Sequence, residues 1–374
     1  MSNFVLKEVS GKNIESELKQ IGFDSTYLFK AANKFRYKNI KIFNLSIAQA
    51  NILKQTALIF GADCAVNREV VTGNIETSDA ILCGSYRQLE KIATKLKAQP
   101  FKLSKLGDKI QDFISKKATR KTKIVGILNI TPDSFSDGGL YFNPSDAQKH
   151  LLSLIEEGAD IIDIGAESTK PYSTPVSAKE QIERLKPILE FITKEKISTP
   201  ISIDTRSAEV ADFVLNNGAQ IINDVSGFNF DKNLPDIVKK YDATVIIQHS
   251  TKNSEDVITY QNVIEEVFLS LMRNIEFAQE KGIKNIIIDP GIGFGKSKKD
   301  NFELINNIEE FYSLNCPVMI GLSRKRLLGV ENNDNSLKDS LSLALSYPLM
   351  LKEIDYLRVH NVKLHKTLLN SLPN

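Results

Sequence analysis

From about Lys121 onward the chain alternates short β-branched runs with helix-length amphipathic stretches. The side-chain period is 2 within the runs and about 3.6 between them, which separates strands from helices. Strands are predicted at Ile124–Asn129, Ile161–Ile164, Ile201–Asp204, Gln220–Asn223, Thr244–Gln248, Asn285–Asp289, Val318–Gly321 and Tyr356–Val359. Helical patterns such as Ser177–Lys194 and Asn262–Lys281 fill the intervals. Eight such units in about 250 residues have the size of a TIM barrel, so residues 119–374 are predicted to form a (β/α)8 barrel. An open doubly wound sheet is the competing α/β fold. It usually has fewer parallel strands, and no Gly-rich dinucleotide turn follows the first strand here.

Residues 1–118 carry a different rhythm. An amphipathic stretch at Ser46–Phe60, apolar runs at Ala62–Val66 and Ala80–Cys83 and a helix-like Tyr86–Lys97 predict a small N-terminal α/β domain. No residue pattern in it names a chemistry, so packing or oligomerisation is its expected role. The Lys- and Ser-rich segment Leu103–Arg120 is expected to join the two parts as a helix or solvated linker.

Composition narrows the class of protein. A hydrophobic content of 42% with 25% charged residues is that of a soluble globular chain, long enough for two domains. Forty-eight basic residues nearly cancel 46 acidic ones, so bulk charge argues for neither nucleic acid nor an acidic membrane surface. Cys64, Cys83 and Cys316 are scattered in apolar runs that read as strand, which suits buried free thiols in a reducing compartment. The first residues lack the apolar core of a secretory leader, and no apolar run reaches about 18 residues, so a cytoplasmic protein without membrane contact is expected.

The polar residues then acquire a position. Asn129, Asp163, Asp204, Asn223, His249, Asp289, Ser323 and His360 all fall at or just after a predicted strand. Barrel active sites are built at those C-terminal strand ends. Two connections there, Asn129–Gly139 and Asp163–Ser173, are long and polar. Glycine permits close backbone approach and oxygen side chains suit Mg2+, while two long loops on one mouth suggest a lid that excludes water from a reactive cation. Asp204 precedes a cation, Arg206, by two residues, and the alternative reading of Asp204 is a helix N-cap. Asn223 and Asp289 follow apolar strands and need hydrogen-bond partners. A flat heterocycle bearing amino, amide and ring-nitrogen groups would supply them. Gly291–Lys296 is Gly-rich but lacks the spacing of a nucleotide P-loop. Cations gather after the last two strands, in Ser323-Arg324-Lys325-Arg326 and at Arg358 and His360, which lie two apart on one strand face. Barrels often hold phosphate there.

Seven motifs in order, ILNITPDSFSDGG, DIGAESTKP, SIDTR, INDV, DPGIGFGK, GLSRK and RVHNV, resemble dihydropteroate synthase across about residues 121–370. The resemblance implies a transferase that makes 7,8-dihydropteroate and diphosphate from 6-hydroxymethyl-7,8-dihydropterin diphosphate and p-aminobenzoate, with Mg2+. By resemblance Asp204, Asn223, Asp289 and Lys325 hold the pterin, and Gly293 and Phe294 line its pocket. Asn129, Arg358 and His360 bind the diphosphate, with Asn129 also meeting Mg2+. Thr169, Pro171 and Ser323 contact p-aminobenzoate, and Lys325 bridges both substrates. The implied reaction is dissociative: diphosphate leaves first and the aromatic amine attacks a pterin-stabilised cation. Asp204, Asp289, Lys325, Arg358 and His360 would then act through electrostatics rather than as nucleophiles. A homodimer through the last helices is a further expectation of the resemblance.

The chain departs from the usual family pattern at Ala166 and Lys170, where Gly and Arg are commoner, and at Gln248-His249-Ser250, where Met-His-Met is commoner. Lys keeps the charge but loses the planar fork. Two other readings share the pterin positions: a pterin-dependent methyltransferase barrel, which would not require the Lys325, Arg358 and His360 set, and a non-catalytic pterin-binding paralogue, whose first loop should have decayed. That loop is intact.

Overall fold

A computed structural model of the chain describes residues 6–11, 13–115, 121–130, 144–167, 176–251, 257–330 and 334–373. The chain divides into two compact units, Met1–Ala118 and Thr119–Asn374.

The first unit runs α1 (Ile14–Gln20), α2 (Leu28–Ala32), β1 (Tyr37–Ser46), α3 (Ile47–Ile59), β2 (Asp63–Val66), β3 (Thr77–Ser85), α4 (Tyr86–Leu96) and α5 (Leu103–Ser115). Its strands form an antiparallel sheet in the order β1-β3-β2. Burial along β3 alternates: Ser78, Ala80 and Leu82 are buried while Asp79 and Ile81 are exposed, as period 2 requires of a sheet covered on one side. Leu53, Leu89, Ile92, Leu96 and Ile110 belong to the same apolar cluster as Ala80 and Leu82. Both α3 and α4 start in a Ser-x-x-Gln capping box, Ser46 with Gln49 and Ser85 with Gln88, which satisfies amide protons that the first helical turn leaves unpaired. Strand β1 escapes the sequence reading because Lys38, Asn39 and Lys41 break its apolar run. Such residues are at home on an edge strand with one face in water.

In the second unit come β4 (Lys123–Asn129), α6 (Pro144–Glu156), β5 (Ile161–Gly165), α7 (Ala178–Lys194), β6 (Ile201–Asp204), α8 (Ala208–Asn216), β7 (Ile221–Asp224) and α9 (Leu234–Lys240). They are followed by β8 (Thr244–Gln248), α10 (Val263–Glu280), β9 (Ile286–Asp289), α11 (Lys298–Asn306), β10 (Met319–Gly321), α12 (Asn335–Leu351), β11 (Tyr356–Val359) and α13 (Val362–Ser371). The eight strands are parallel in the order β10-β11-β4-β5-β6-β7-β8-β9, and a bridge between Ile288 and Val318 brings the two ends together. This is the predicted (β/α)8 barrel, with every predicted strand within one residue of its observed ends. Cys316 does not lie in a strand but in the turn ahead of β10, where Pro317 has no amide proton to give a ladder. All three cysteines are free, with Cys64 and Cys316 buried. Among the described residues no helix is long and apolar enough to cross a membrane.

Two hydrophobic layers build the barrel. Outward-facing Ile124, Ile162, Ile203, Ile222, Ile247 and Ile288 pack under the surrounding helices. Inside, Val125, Ile161, Ile221, Ile246, Ile287 and Met319 close the axis as a separate apolar plug, with Tyr356 packed against it. The plug is a floor on which the C-terminal strand ends rest.

One contact in the first unit gives a stability test. A Cβ on Gly107 of α5 would lie 2.6 Å from the Ala93 carbonyl oxygen of α4, so the two helices meet where only glycine fits. Gly107→Ala is expected to destabilise this unit by about 1–3 kcal/mol, the usual cost of overpacking. Faster amide exchange in α4 and α5 of the full chain would report it; unchanged exchange would refute the tight contact.

Candidate active site

Side chains two positions beyond the apolar plug face the barrel axis again. There β5, β7, β8, β9 and β11 supply Asp163, Asn223, Gln248, Asp289 and Arg358, and β6 adds Ser202 and Asp204. The axis thus changes from apolar to polar within one layer, and all of these but Arg358 are buried. Arg358 reaches across it. Its Nε donates to Asp163 Oδ2 at 2.6 Å and its Nη2 to Asp204 Oδ2 at 3.1 Å. Asn223 Nδ2 donates to the same Asp163 oxygen at 3.1 Å. Asp163 Oδ1, Asn223 Oδ1 and Ser202 Oγ are buried without a partner among the described residues. An unsatisfied buried polar group costs about 1–3 kcal/mol, so this layer is arranged for something polar to enter it.

Burial raises the pKa of Asp204, an effect that Arg358 opposes and Asp163 reinforces. Asp289 is raised by burial too, against the pull of Lys325. Asp289 also accepts the Gly291 amide proton at 2.7 Å, fixing the start of the turn that follows β9.

That turn and Lys325 fit each other. Lys325 Nζ donates to the Ile292 carbonyl and sits 4.6 Å over the centre of the Phe294 ring. Gly293 has φ +84°, and a Cβ there would stand 3.0 Å from Lys325 Cδ. Burial brings the Lys325 ammonium down to about 8, with Asp289 resisting the shift. The base of the turn is held by Lys296, which the sequence reading left as the end of a glycine-rich stretch. Its Nζ donates to Gly291 O at 2.8 Å and Phe294 O at 3.1 Å and lies 3.0 Å from His249 Nδ1. Burial lowers the Lys296 pKa to about 7; while it is charged, its third proton goes to Nδ1, which places the His249 proton on Nε2. Burial and Lys296 push the His249 pKa down to about 3. Gly291 lies so close beneath His249 that a Cβ would overlap its carbonyl oxygen at 1.9 Å.

The cation run after β10 splits in three directions. Lys325 turns to the mouth, Arg326 is exposed, and Arg324 turns back to form a two-pronged pair with Asp339 of α12 at 2.8 and 2.9 Å. Ser323 Oγ accepts the His360 amide proton at 3.2 Å and lies 2.9 Å from His360 Nδ1. With the Ser323 proton on Nδ1, Nε2 of His360 is a donor, the tautomer that suits an anion at the mouth. Burial, Arg324 and Arg358 lower the His360 pKa to about 3, so the ring is neutral. Arg206 does not join Asp204: it lies 3.4 Å from Glu167 and 4.1 Å over the Phe230 ring. Ser207, not Asp204, caps α8 by accepting from Val210 N, so the helix-cap reading of Asp204 falls away.

Asp204, Asn223, Asp289, Lys325 and Arg358 therefore converge on one axis, with Gly293, Phe294, Ser323 and His360 on the turns around it. Asn129 ends β4 at the same mouth, its Oδ1 3.4 Å from where a Gly165 Cβ would be. Thr169, Lys170, Pro171 and most of the first long loop lie outside the described residues. Sequence reasoning named Asp163 only as a strand end and missed Asp339 altogether; the repeated polar residue two beyond each plug residue was the available signal for Asp163. Among the described residues no group of three His, Cys, Asp or Glu side chains could hold a metal.

Comparison with known proteins gives the family. The family model described as "Pterin binding enzyme" matches residues 125–360. A dihydropteroate synthase of Clostridium beijerinckii is 40% identical over 247 residues, spanning 65% of this chain and 90% of that protein. A bifunctional dihydropteroate synthase/dihydropteroate reductase of Helicobacter pylori is 30% identical over 372 residues, 96% of each chain. The crystal structure of Xanthomonas albilineans dihydropteroate synthase in complex with 7,8-dihydropteroate superposes with a TM-score of 0.61 at 33% identity, covering 68% of this chain and 95% of that one. With a pterin-binding match over more than half its length, on a barrel whose polar layer is built as described, this chain belongs to the dihydropteroate synthase family of pterin-binding enzymes.

Proposed function

We propose that the barrel mouth condenses 6-hydroxymethyl-7,8-dihydropterin diphosphate with p-aminobenzoate, giving 7,8-dihydropteroate and diphosphate as a transferase of folate biosynthesis. The observation that carries this reading is the unpartnered Asn223 Oδ1 within a buried layer that also holds Asp204 and Asp289. Two carboxylates accept from amino and ring N–H groups and an amide does both, which is the edge of a pterin. Arg358 and Lys325 stand beside those carboxylates with His360 on the turn beyond, which suits a neutral ring that carries an anionic tail.

In the proposed reaction the bond from the exocyclic carbon to the diphosphate oxygen breaks, and the electron pair leaves with diphosphate. Lys325, Arg358 and the Nε2–H of His360 take up the charge that develops there. Asp204 and Asp289, held beside the ring, stabilise the cation left on the pterin. The lone pair of the p-aminobenzoate nitrogen then forms the new C–N bond and the nitrogen loses a proton. Ser323, with Thr169 and Pro171, is proposed to position that amine, since alignment of two bound reactants is itself a large part of such a rate. Asn129 fits Mg2+ as a hard oxygen donor, because this ion is usually held by one or two protein oxygens together with substrate phosphates; it would neutralise the leaving group. The Lys325, Arg358 and His360 set favours this reading over a methyltransferase-type barrel, which has no diphosphate to hold.

A second reading concerns residues 1–118, which we propose to be a separate domain. The Helicobacter pylori relative matches over both units and bears the name of a second activity. A dihydropteroate reductase activity in this chain would appear as oxidation of reduced nicotinamide or flavin, with two electrons and two protons passing to 7,8-dihydropteroate. No oxidation above background by the full chain would reject it.

Diphosphate release by the full chain with the pterin diphosphate and Mg2+ is expected only when p-aminobenzoate is added. Lys325→Ala should lower kcat/KM by about a hundred-fold or more, the scale of one lost charge-stabilising donor. Release that survives this change would remove Lys325 from the mechanism.

The pH profile has a predicted sign on each side. The Lys325 ammonium is lost as pH rises through about 8, so kcat/KM for the pterin diphosphate should fall there. The Asp204 carboxylate, raised above its usual range, is lost as pH falls, giving an acid limb. Lys325→Arg should carry the basic limb to higher pH. A limb that stays in place would belong to another group.

A further inference from the structure

The side of the mouth proposed above to meet diphosphate is backed by a second set of contacts that the reaction does not use. Neighbouring residues on two loops point in opposite directions. Ser323 and His360 bond to each other at the mouth. The next residue on each loop, Arg324 and Asn361, turns outward to one carboxylate, that of Asp339 on α12. Asp339 Oδ1 accepts from Arg324 Nε and its Oδ2 from both Arg324 Nη2 and Asn361 Nδ2 at 3.2 Å. Asp339 is buried, and the pull of Arg324 and Asn361 leaves its pKa below the usual carboxylate range despite that burial.

Two features show that this is more than helix packing. Arg324 has φ +58°, a left-handed conformation that a long side chain rarely adopts. The conformation is what sends Arg324 backward while its neighbours Ser323 and Lys325 go forward, and a two-pronged ion pair is the interaction able to hold it. The face of α12 below Asp339 is also polar where it is buried. Ser342 Oγ accepts the Arg324 amide proton at 3.3 Å, and Ser346 Oγ meets His365 Nε2 of α13 at 3.2 Å. Ser342 and Ser346 are almost wholly buried. A helix that only filled space against the barrel would present aliphatic side chains there.

We infer that Asp339, with Arg324 and Asn361, is a positioning unit that locks the loops after β10 and β11 to each other, so that Lys325 and His360, the latter held by Ser323, meet diphosphate as one preformed site. Asp339 touches no reacting atom in this arrangement. It acts by holding Arg324 in its left-handed turn, which sets where the next residue, Lys325, leaves the backbone. The inference rests on the proposed assignment of diphosphate to this side of the mouth. Its consequence is unequal: of the residues assigned to the pterin only Lys325 lies on the locked loops, whereas Asp204, Asn223 and Asp289 end other strands, so pterin affinity should fall far less than diphosphate affinity.

Two variants of the full chain test it, Asp339→Asn, which puts an amide against the guanidinium, and Arg324→Lys, which keeps the charge and removes the fork. Calorimetric titration with inorganic diphosphate and Mg2+ is compared with titration by 6-hydroxymethylpterin, which has no phosphate. Both variants are expected to lose affinity for diphosphate by about ten- to a hundred-fold, the scale on which a displaced binding group is felt, and to keep pterin affinity within about two-fold. Asp339→Glu should recover part of the loss. Diphosphate affinity unchanged in both variants, or pterin affinity lost in parallel, as a general loosening of the barrel would give, overturns the inference alone. A parent chain that binds pterin but no diphosphate overturns both the inference and the reading beneath it.

Discussion

A half-buried guanidinium that reaches across the barrel axis is the condition for the rest of the mouth. Asp163 and Asp204 lie close enough to share Arg358, and burial together with the neighbouring Asp163 raises the Asp204 pKa against the pull of Arg358. Arg358 supplies the opposite charge, and Asn223 gives a further donor to Asp163. Removing one partner of such a buried set commonly costs roughly 3–5 kcal/mol, because the remaining charge is stranded. The apolar plug beneath makes this arrangement strict. It excludes water from below, so the polar layer must be satisfied by its own members or by what enters from above.

The loops after β9 and β10 obey the same economy by different means. Lys296 holds two backbone carbonyls and a histidine nitrogen, so its charge is spent on shaping the turn after β9 rather than on a ligand. Arg324 is likewise consumed by Asp339. Of the cations gathered at these strand ends, Lys325 and Arg358 stand beside Asp289 and Asp204, which concentrates charge at the proposed joint between ring and tail. Burial lowers the pKa of both His249 and His360 to about 3, and each ring has a polar partner at Nδ1.

The N-terminal unit is built by ordinary means: a sheet covered on one face, two capping boxes and a helix contact closed by Gly107. Among its described residues no cluster of buried charges resembles that of the barrel. Its share in the match with the Helicobacter pylori protein makes it part of the chain's inheritance.

The sequence by itself determined the barrel, because period-2 runs of β-branched residues separated by helical periods admit few folds, and eight of them at this spacing admit essentially one. It also placed Asp204, Asn223, Asp289, Lys325, Arg358 and His360 at strand ends, since a polar residue closing an apolar strand is visible as a break in pattern. Strand β1 was hidden by its lysines, which satisfy an edge rather than a core. Pairing was beyond its reach. Whether Arg206 or Arg358 meets Asp204, and whether Arg324 or Lys325 turns to the mouth, depends on residues 150 or so positions apart and on a backbone angle at Arg324 that no local pattern encodes. Only closure of the barrel brings β5, β6 and β11 to a shared axis, and only there does burial decide which charges must be paired and which are left for a ligand.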